Sequence, residues 1–117
     1  MPRFHHVNLG VLPDDLDSEM DFLENVLGYH RMDIPPEMQQ YDPKWFEADD
    51  GSQVHLSVDH DHQPAARAHT AIELEGKSGD VEHRLAEAGI DFQAGGLGDR
   101  RVLFCADPAG NRWELRD

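Results

Sequence analysis

The segments GSQVHL at residues 51–56 and GNRWEL at residues 110–115 share one pattern. In each, a glycine turn opens a short strand, and hydrophobic residues flank the fifth position. That position is His55 in the first segment and Glu114 in the second. Because both side chains are of types that bind divalent metals, the pair indicates equivalent roles in two copies of one module.

Other landmarks recur in the same order along the two halves of the chain. The matching segments are HVNL at 6–9 with HTAI at 69–72, LG at 27–28 with AG at 88–89, and Gly51 with Gly110. Small differences in the spacing of these landmarks are what loop deletions produce. The sequence therefore predicts an internal duplication.

Each half has the periodicity of one strand, one helix and three further strands. In the first half we expect a strand at 4–11, a helix at 15–27 ended by Gly28, and strands near 29–34, 44–48 and 53–59. In the second half we expect a strand at 69–75, a helix at about 79–88, and strands near 90–93, 101–106 and 111–116. This pattern predicts an α+β fold of two tandem βαβββ modules, in which each helix covers one face of a mixed sheet.

The chain of 117 residues is predicted to be a single domain made of both modules. Module one covers about 1–59, the polar, Pro- and Ala-rich segment 60–68 is the linker, and module two covers 69–117. No apolar run approaches a membrane span, and the first residues lack the apolar segment of a signal peptide. We therefore expect a soluble cytoplasmic protein.

Charge excludes some partners. With 24 acidic and 10 basic residues, the net charge of −14 repels phosphate backbones and anionic membranes. Nucleic acids and membranes are therefore not expected as partners.

The lone Cys105 excludes an internal disulfide, and its position in the apolar run VLFC predicts a buried, unreactive thiol.

Alternation along four strands places one metal-binding side chain of each on the face away from the helix. These four are His6, His55, His69 and Glu114. Three imidazoles and one carboxylate suit a divalent ion such as Zn²⁺, Ni²⁺, Co²⁺, Mn²⁺ or Fe²⁺. The other histidines lack this placement and are expected to be solvated or hydrogen-bonded: His5, His30, His60, His62 and His83.

These motifs resemble the vicinal oxygen chelate superfamily, which includes glyoxalase I, methylmalonyl-CoA epimerase, extradiol dioxygenases, fosfomycin-modifying enzymes and bleomycin-binding proteins. The resemblance covers the whole chain and rests on HHVNLGV, VLGY, VHLSV, HTAIEL and above all DPAGNRWEL. It implies paired βαβββ modules whose sheets curl around a metal ion. It also implies that His6, His55, His69 and Glu114 are the metal ligands.

The full set of four donors places the chain nearest the glyoxalase-I-like branch. The resemblance then implies a divalent-metal-dependent lyase or isomerase that acts on a small oxygen-rich carbonyl compound or a thiol conjugate. His55 stands where glyoxalase I usually has glutamate, so the ligand set of this chain has one carboxylate fewer. Glu114 is the first candidate for the general base, and a metal-bound hydroxide is the second.

Two alternatives remain open from the sequence. An Fe²⁺-dependent extradiol dioxygenase needs two histidines and one carboxylate, which His6, His69 and Glu114 would supply. A binding or antibiotic-resistance protein of the bleomycin-resistance type would need no catalysis. In the relatives that the chain resembles most, the metal is often shared between two subunits, so we expect a homodimer with sites at the interface.

Sequence signals for the substrate are fewer. An apolar wall is expected from Met32, Met38, Tyr41, Trp45 and Phe46, of which either Trp45 or Phe46 belongs to the core. The glycine-rich segment GGLGD at 95–99 is expected to form a loop near the site. The cations available to anchor an anionic substrate are Arg3, Arg31, Lys44, Arg67, Arg100, Arg101, Arg112 and Arg116.

Overall fold

The computed structural model describes residues 1–117, with the exception of the side chain of Leu97. The chain forms two compact units, Met1–His62 and Gln63–Asp117. The division between them falls within the segment expected to be the linker. Among the described residues, no helix has the length and apolar character that crossing a membrane requires.

The first unit contains four strands and one helix. Its elements are β1 (His6–Val11), a 3₁₀ turn (Pro13–Asp15), α1 (Leu16–Asp21) continued by a π-helical turn (Phe22–Val26), β2 (His30–Arg31), a 3₁₀ segment (Pro36–Tyr41), β3 (Lys44–Glu47) and β4 (Gln53–Val58). The strand order in the sheet is β1-β4-β3-β2. The first and last strands pair in parallel, and the other pairs are antiparallel.

The second unit repeats this arrangement. Its elements are β5 (His69–Glu73), α2 (Ser78–Glu87), β6 (Phe92–Leu97), β7 (Arg100–Ala106) and β8 (Arg112–Arg116). The strand order is β5-β8-β7-β6, with β5 parallel to β8 and the other pairs antiparallel. The predicted α+β fold of two βαβββ modules is confirmed.

The predicted alternation of strand faces is also found. In the first unit the core contains Val11, Leu23, Phe46 and Val54, all at most 2% exposed. In the second unit it contains Val81, Leu85, Leu103, Trp113 and Leu115, also at most 2% exposed. Cys105 is buried, as predicted. The face of each sheet away from this core carries the polar side chains.

One local prediction was wrong. The segment GGLGD is not a loop over its whole length, because Gly95, Gly96 and Leu97 pair with β7 as part of β6. Val58, at the end of β4, is 46% exposed, although Val54 and Leu56 on the same face of the strand are buried. Strand β3 begins at Lys44 opposite Leu56, so Val58 has no partner on that side.

The turns that precede β4 and β8 are closed by the same backbone hydrogen bond. Gly51 N donates to Ala48 O at 2.9 Å, and Gly110 N donates to Asp107 O at 2.8 Å. Both glycines have a positive φ, 88° and 84° respectively. The duplicated glycines therefore occupy equivalent left-handed positions, which residues with a Cβ adopt only at a cost.

The second turn has further interactions through the Asp107 carboxylate, which is 5% exposed. Its Oδ1 accepts hydrogen bonds from Ala109 N at 3.0 Å and Asn111 N at 2.8 Å. Its Oδ2 accepts one from Trp113 Nε1 at 2.9 Å. One buried carboxylate therefore joins the turn to the core, which gives the aspartate of the DPAGN motif a structural role.

The two turn glycines offer a matched test of local packing. A Cβ built on Gly51 meets nothing within 4 Å, whereas one built on Gly110 lies 2.6 Å from Pro64 Cγ. We expect Gly51→Ala to cost about 1 kcal/mol for the positive φ alone, and Gly110→Ala to cost about 2–3 kcal/mol because the proline ring must also shift. Urea denaturation of both variants measures the difference, and equal losses would contradict it.

Candidate metal centre

The first unit brings His6 and His55 together on the free face of its sheet. They lie on the neighbouring strands β1 and β4, and their rings stack with centroids 4.0 Å apart and planes 11° apart. Trp45 lies directly across from His55 on β3 and stacks on it at 4.8 Å and 18°. The three strands therefore present a column of three parallel rings.

His55 is neutral at physiological pH. Burial lowers its pKa, and the neighbouring His6 and His5 lower it further, to about 4. A neutral imidazole has a lone pair available for a metal ion, whereas a protonated one does not. The environment of His55 thus favours the form of the side chain that binds metal.

The second unit brings His69 and Glu114 together in the equivalent place. They lie on the neighbouring strands β5 and β8, with His69 Nε2 3.9 Å from Glu114 Oε1. Glu114 Oε2 is 3.8 Å from Arg116 Nη1, and the Glu114 side chain is only 16% exposed. Phe104 lies across from Glu114 on β7, as Trp45 lies across from His55.

The hydrogen bonds of the three histidines fit a metal site. His69 Nδ1 lies 3.1 Å from the Arg67 carbonyl oxygen, which can only accept, so Nδ1 donates and Nε2 keeps its lone pair in the neutral ring. His69 Nε2 lies 3.9 Å from Glu114 Oε1, so the neutral ring and the carboxylate could both bind a cation between them. The donor set of the second unit therefore suits a divalent ion.

In the first unit, each ring also has one nitrogen engaged by a neighbouring side chain. His55 Nε2 lies 2.8 Å from Gln53 Oε1, and His6 Nδ1 lies 2.8 Å from His5 Nδ1. Metal-binding histidines commonly use one nitrogen for the metal and the other for such a partner. The remaining nitrogens, His55 Nδ1 and His6 Nε2, are thus the ones left for a metal ion.

The structure brings the four predicted ligands together as two pairs, one in each unit. No group of three or more His, Cys, Asp or Glu side chains that could hold one metal ion occurs among the side chains the structure describes. The use of all four residues by one metal ion therefore stays a prediction. Two of the histidines not expected to bind metal have acidic neighbours: His30 lies 3.7 Å from Asp49, and His83 lies 2.9 Å from Glu87.

Sequence reasoning missed the residues that hold the ligands in place. Gln53 could have been found, because it lies two residues before His55 and therefore on the same face of β4. His5 was set aside, although it contacts His6 directly. Arg67 acts through its backbone carbonyl, which any residue at that position would provide, so no sequence signal marks it.

The predicted apolar wall is found in part. Met38, Tyr41 and Trp45 line a groove in the first unit that also reaches His55. Phe46 is fully buried in the core instead, and Met32 does not line the groove. Several of the predicted cationic anchors are paired with acidic side chains: Arg31 with Glu24, Lys44 with Asp42, Arg101 with Glu82 and Arg116 with Glu114.

Comparison with known proteins assigns the family. The model of the Glyoxalase/Bleomycin resistance protein/Dioxygenase superfamily matches residues 3–115, and the chain belongs to this superfamily. Members of this superfamily bind small-molecule substrates. No functionally curated protein matches the chain.

Several solved structures share the fold over nearly the whole chain. A glyoxalase family protein from Bacillus anthracis is 23% identical with a TM-score of 0.83, covering 99% of this chain and 94% of that one. A glyoxalase/dioxygenase from Nostoc punctiforme is 20% identical with a TM-score of 0.81, covering 97% and 89%. A mutant of the fosfomycin resistance protein FosX from Listeria monocytogenes, in complex with Mn(II) and 1S,2S-dihydroxypropylphosphonic acid, is 17% identical with a TM-score of 0.76, covering 98% of this chain and 91% of that one.

Proposed function

We propose that this protein is a divalent-metal-dependent lyase or isomerase of the glyoxalase-like type. Its substrate is a small oxygen-rich carbonyl compound or a thiol conjugate. The observation that carries the proposal is the pair of possible metal ligands in the second unit, with His69 Nε2 3.9 Å from Glu114 Oε1. The stacked pair His6 and His55 occupies the equivalent place in the first unit.

The proposed roles follow from these contacts. His6, His55, His69 and Glu114 hold the metal ion, which when bound supplies the positive charge that stabilises developing negative charge on substrate oxygens. Released from the metal, Glu114 would take a proton from the carbon beside the carbonyl group and return it to the carbonyl carbon. The Arg116 guanidinium, 3.8 Å from Glu114 Oε2, orients that carboxylate.

The histidine at position 55 sets the charge of the donor set. Three neutral imidazoles and one carboxylate leave about one positive charge on a divalent ion, whereas a second carboxylate would neutralise it. A site with this residual charge polarises a carbonyl group more strongly. Glu114 is then the one carboxylate of the ligand set that can act as the base.

We further propose that the protein acts as a homodimer with a metal site at each interface. Every site needs one histidine pair and one histidine–glutamate pair, and each chain carries one of each. In a dimer with a two-fold axis, each site can take the histidine pair from one chain and the histidine–glutamate pair from the other, so both sites are complete.

Fe²⁺-dependent ring cleavage is a second candidate function. Two histidines and one carboxylate are the minimal ligand set for such iron enzymes, and His6, His69 and Glu114 would supply it. The groove beside His55 is lined by the rings of Tyr41 and Trp45, which favour a substrate with a ring. Oxygen consumption by iron-loaded protein with catechols would distinguish this candidate from the leading one.

Metal loading tests the proposal directly. Because an ion that binds only the native state stabilises it, a free metal concentration a hundredfold above Kd should raise Tm by roughly 8–10 °C. Mn²⁺, Ni²⁺, Zn²⁺, Co²⁺ and Fe²⁺ are added singly to chelator-treated protein, and metal content is measured after desalting. Glu114→Ala should abolish the shift.

His83→Ala is the matched control for loss of a histidine. His83 is an exposed residue of α2 whose partner is Glu87, so its loss should leave the metal-dependent shift intact. A wild-type protein that retains no metal and shows no shift would overturn the proposed function. An equal shift in wild type and in Glu114→Ala would show that the metal binds elsewhere.

A further inference from the structure

The first unit has a groove at the end of β4 whose volume is about 520 Å³. It forms because β3 begins at Lys44, opposite Leu56, so Ser57 and Val58 continue β4 without a partner on that side. The chain that leads into β3 provides the opposite wall. The groove is within the range of volumes that accept small organic ligands.

Apolar residues form about half of the groove's walls. They include Leu16, Met38, Tyr41, Trp45, Leu56 and Val58. Tyr41 is 69% exposed and Val58 is 46% exposed, and both line the groove. A grouped apolar surface of this kind is typical of a binding site.

The charges of the groove cancel. Among the residues that line it, Lys44 and Asp42 are the two whose side chains carry a formal charge at neutral pH, and Lys44 Nζ lies 2.8 Å from Asp42 Oδ1. A charged ligand group would have to compete with this existing pair. The groove thus offers apolar contact without an unpaired charge.

The groove is continuous with the candidate metal centre. His55 lines the groove and also stacks on His6. Trp45 also lines the groove and stacks on His55. A molecule held through its oxygens at the metal would therefore extend its remaining atoms along Trp45 into the groove.

From this arrangement we infer that the groove binds an uncharged, aromatic-sized part of the substrate, against Trp45, Tyr41 and Met38. The inference rests on the proposed function for the oxygen-bearing end of that substrate. It narrows the substrate class to compounds that have two neighbouring oxygens and, on the carbon next to them, an aryl group or a similarly flat apolar substituent. Trp45 and Tyr41 are then specificity-determining residues.

Two hydroxamic acids test this inference. Acetohydroxamic acid and benzohydroxamic acid chelate a metal through the same two oxygens, and they differ in a methyl against a phenyl group. On manganese-loaded protein, calorimetry should show that benzohydroxamic acid binds about tenfold more tightly or better, because the phenyl group is removed from water. Adding a carboxylate to the phenyl ring should weaken binding.

The variants identify where the phenyl group lies. Trp45→Ala and Tyr41→Ala should each reduce the ratio of the affinities for benzohydroxamic and acetohydroxamic acid severalfold. Leu12→Ala removes a comparably exposed apolar side chain outside the groove and should keep the full preference. Thermal melts confirm that each variant is folded, and Tyr41→Ala is informative even if Trp45→Ala is not stable.

The outcomes separate the two proposals. Equal affinity of wild type for the two acids, or tighter binding of the carboxylated compound, would overturn the assignment of the groove and leave the metal function standing. An unchanged preference for benzohydroxamic acid in both groove variants would likewise overturn the assignment of the groove. If neither acid binds metal-treated protein, the proposed metal function fails, and the inference that depends on it fails too.

Discussion

Chains carrying His55→Ala and Glu114→Ala, each unable to retain metal alone, are expected to recover about a quarter of wild-type metal content when unfolded and refolded together. Random pairing makes about half of the dimers mixed. If each site takes one pair from each chain, a mixed dimer has one intact site and one doubly damaged site. The measurement is metal content after desalting, which requires no knowledge of the substrate.

A second mixture provides the control for this experiment. His6→Ala and His55→Ala damage the same pair, so in a mixed dimer both sites keep one lesion, and no recovery is expected. Recovery in this control would indicate nonspecific metal uptake. Absence of recovery in the first mixture, with mixed dimers shown to form, would mean that each chain builds its own site.

Asp107→Ala is expected to be the most destabilising single substitution in the second unit outside its apolar core. It removes the acceptor for Ala109 N, Asn111 N and Trp113 Nε1 and leaves these buried donors unsatisfied. Hydrogen bonds to a buried charged group are worth about 1.5–3 kcal/mol each and are not additive, so the expected loss is on the order of 4 kcal/mol. Thermal denaturation should show a Tm lower by more than about 10 °C.

Two further variants show whether the charge of Asp107 or the geometry of the turn accounts for the loss of stability. Asp107→Asn keeps one oxygen for the turn but can present an NH₂ group to the Trp113 indole N–H, so an intermediate loss is expected. Asp50→Ala affects the equivalent turn of the first unit. There the Ser52 side chain and backbone donate hydrogen bonds that lower the pKa of Asp50, but this carboxylate faces solvent. A loss at Asp50 equal to that at Asp107 would contradict the role assigned to burial.

The fold could be predicted because duplication and alternation are both local signals. Glycines at equivalent turns and apolar residues at every second position identify the strands and their faces. Neither signal shows where a neighbouring strand begins. The exposure of Val58 depends on β3 starting at Lys44, and the glycine-rich segment becomes a strand because β7 supplies its hydrogen-bond partners.

The candidate site was predictable to the same extent. Strand alternation places His6, His55, His69 and Glu114 on the free faces, and the structure has each pair in contact distance within its unit. The choice between Trp45 and Phe46 needed the structure, because both are aromatic and adjacent. Phe46 packs in the core, and Trp45 stacks on His55.

The parallel pairing of the first and last strands in each unit affects how such a protein can change during evolution. Residues far apart in the chain, such as His6 and His55, are neighbours because β1 and β4 share backbone hydrogen bonds, and the same holds for His69 and Glu114 on β5 and β8. The distance between the donors of a pair is therefore set by the spacing of adjacent strands and not by the length of the intervening loops. Insertions and deletions in those loops, including the 3₁₀ segment that borders the groove, can alter the shape offered to a substrate while the donor geometry persists. Selection can thus change which molecules fit beside the donor pairs without moving the strands that carry the donors.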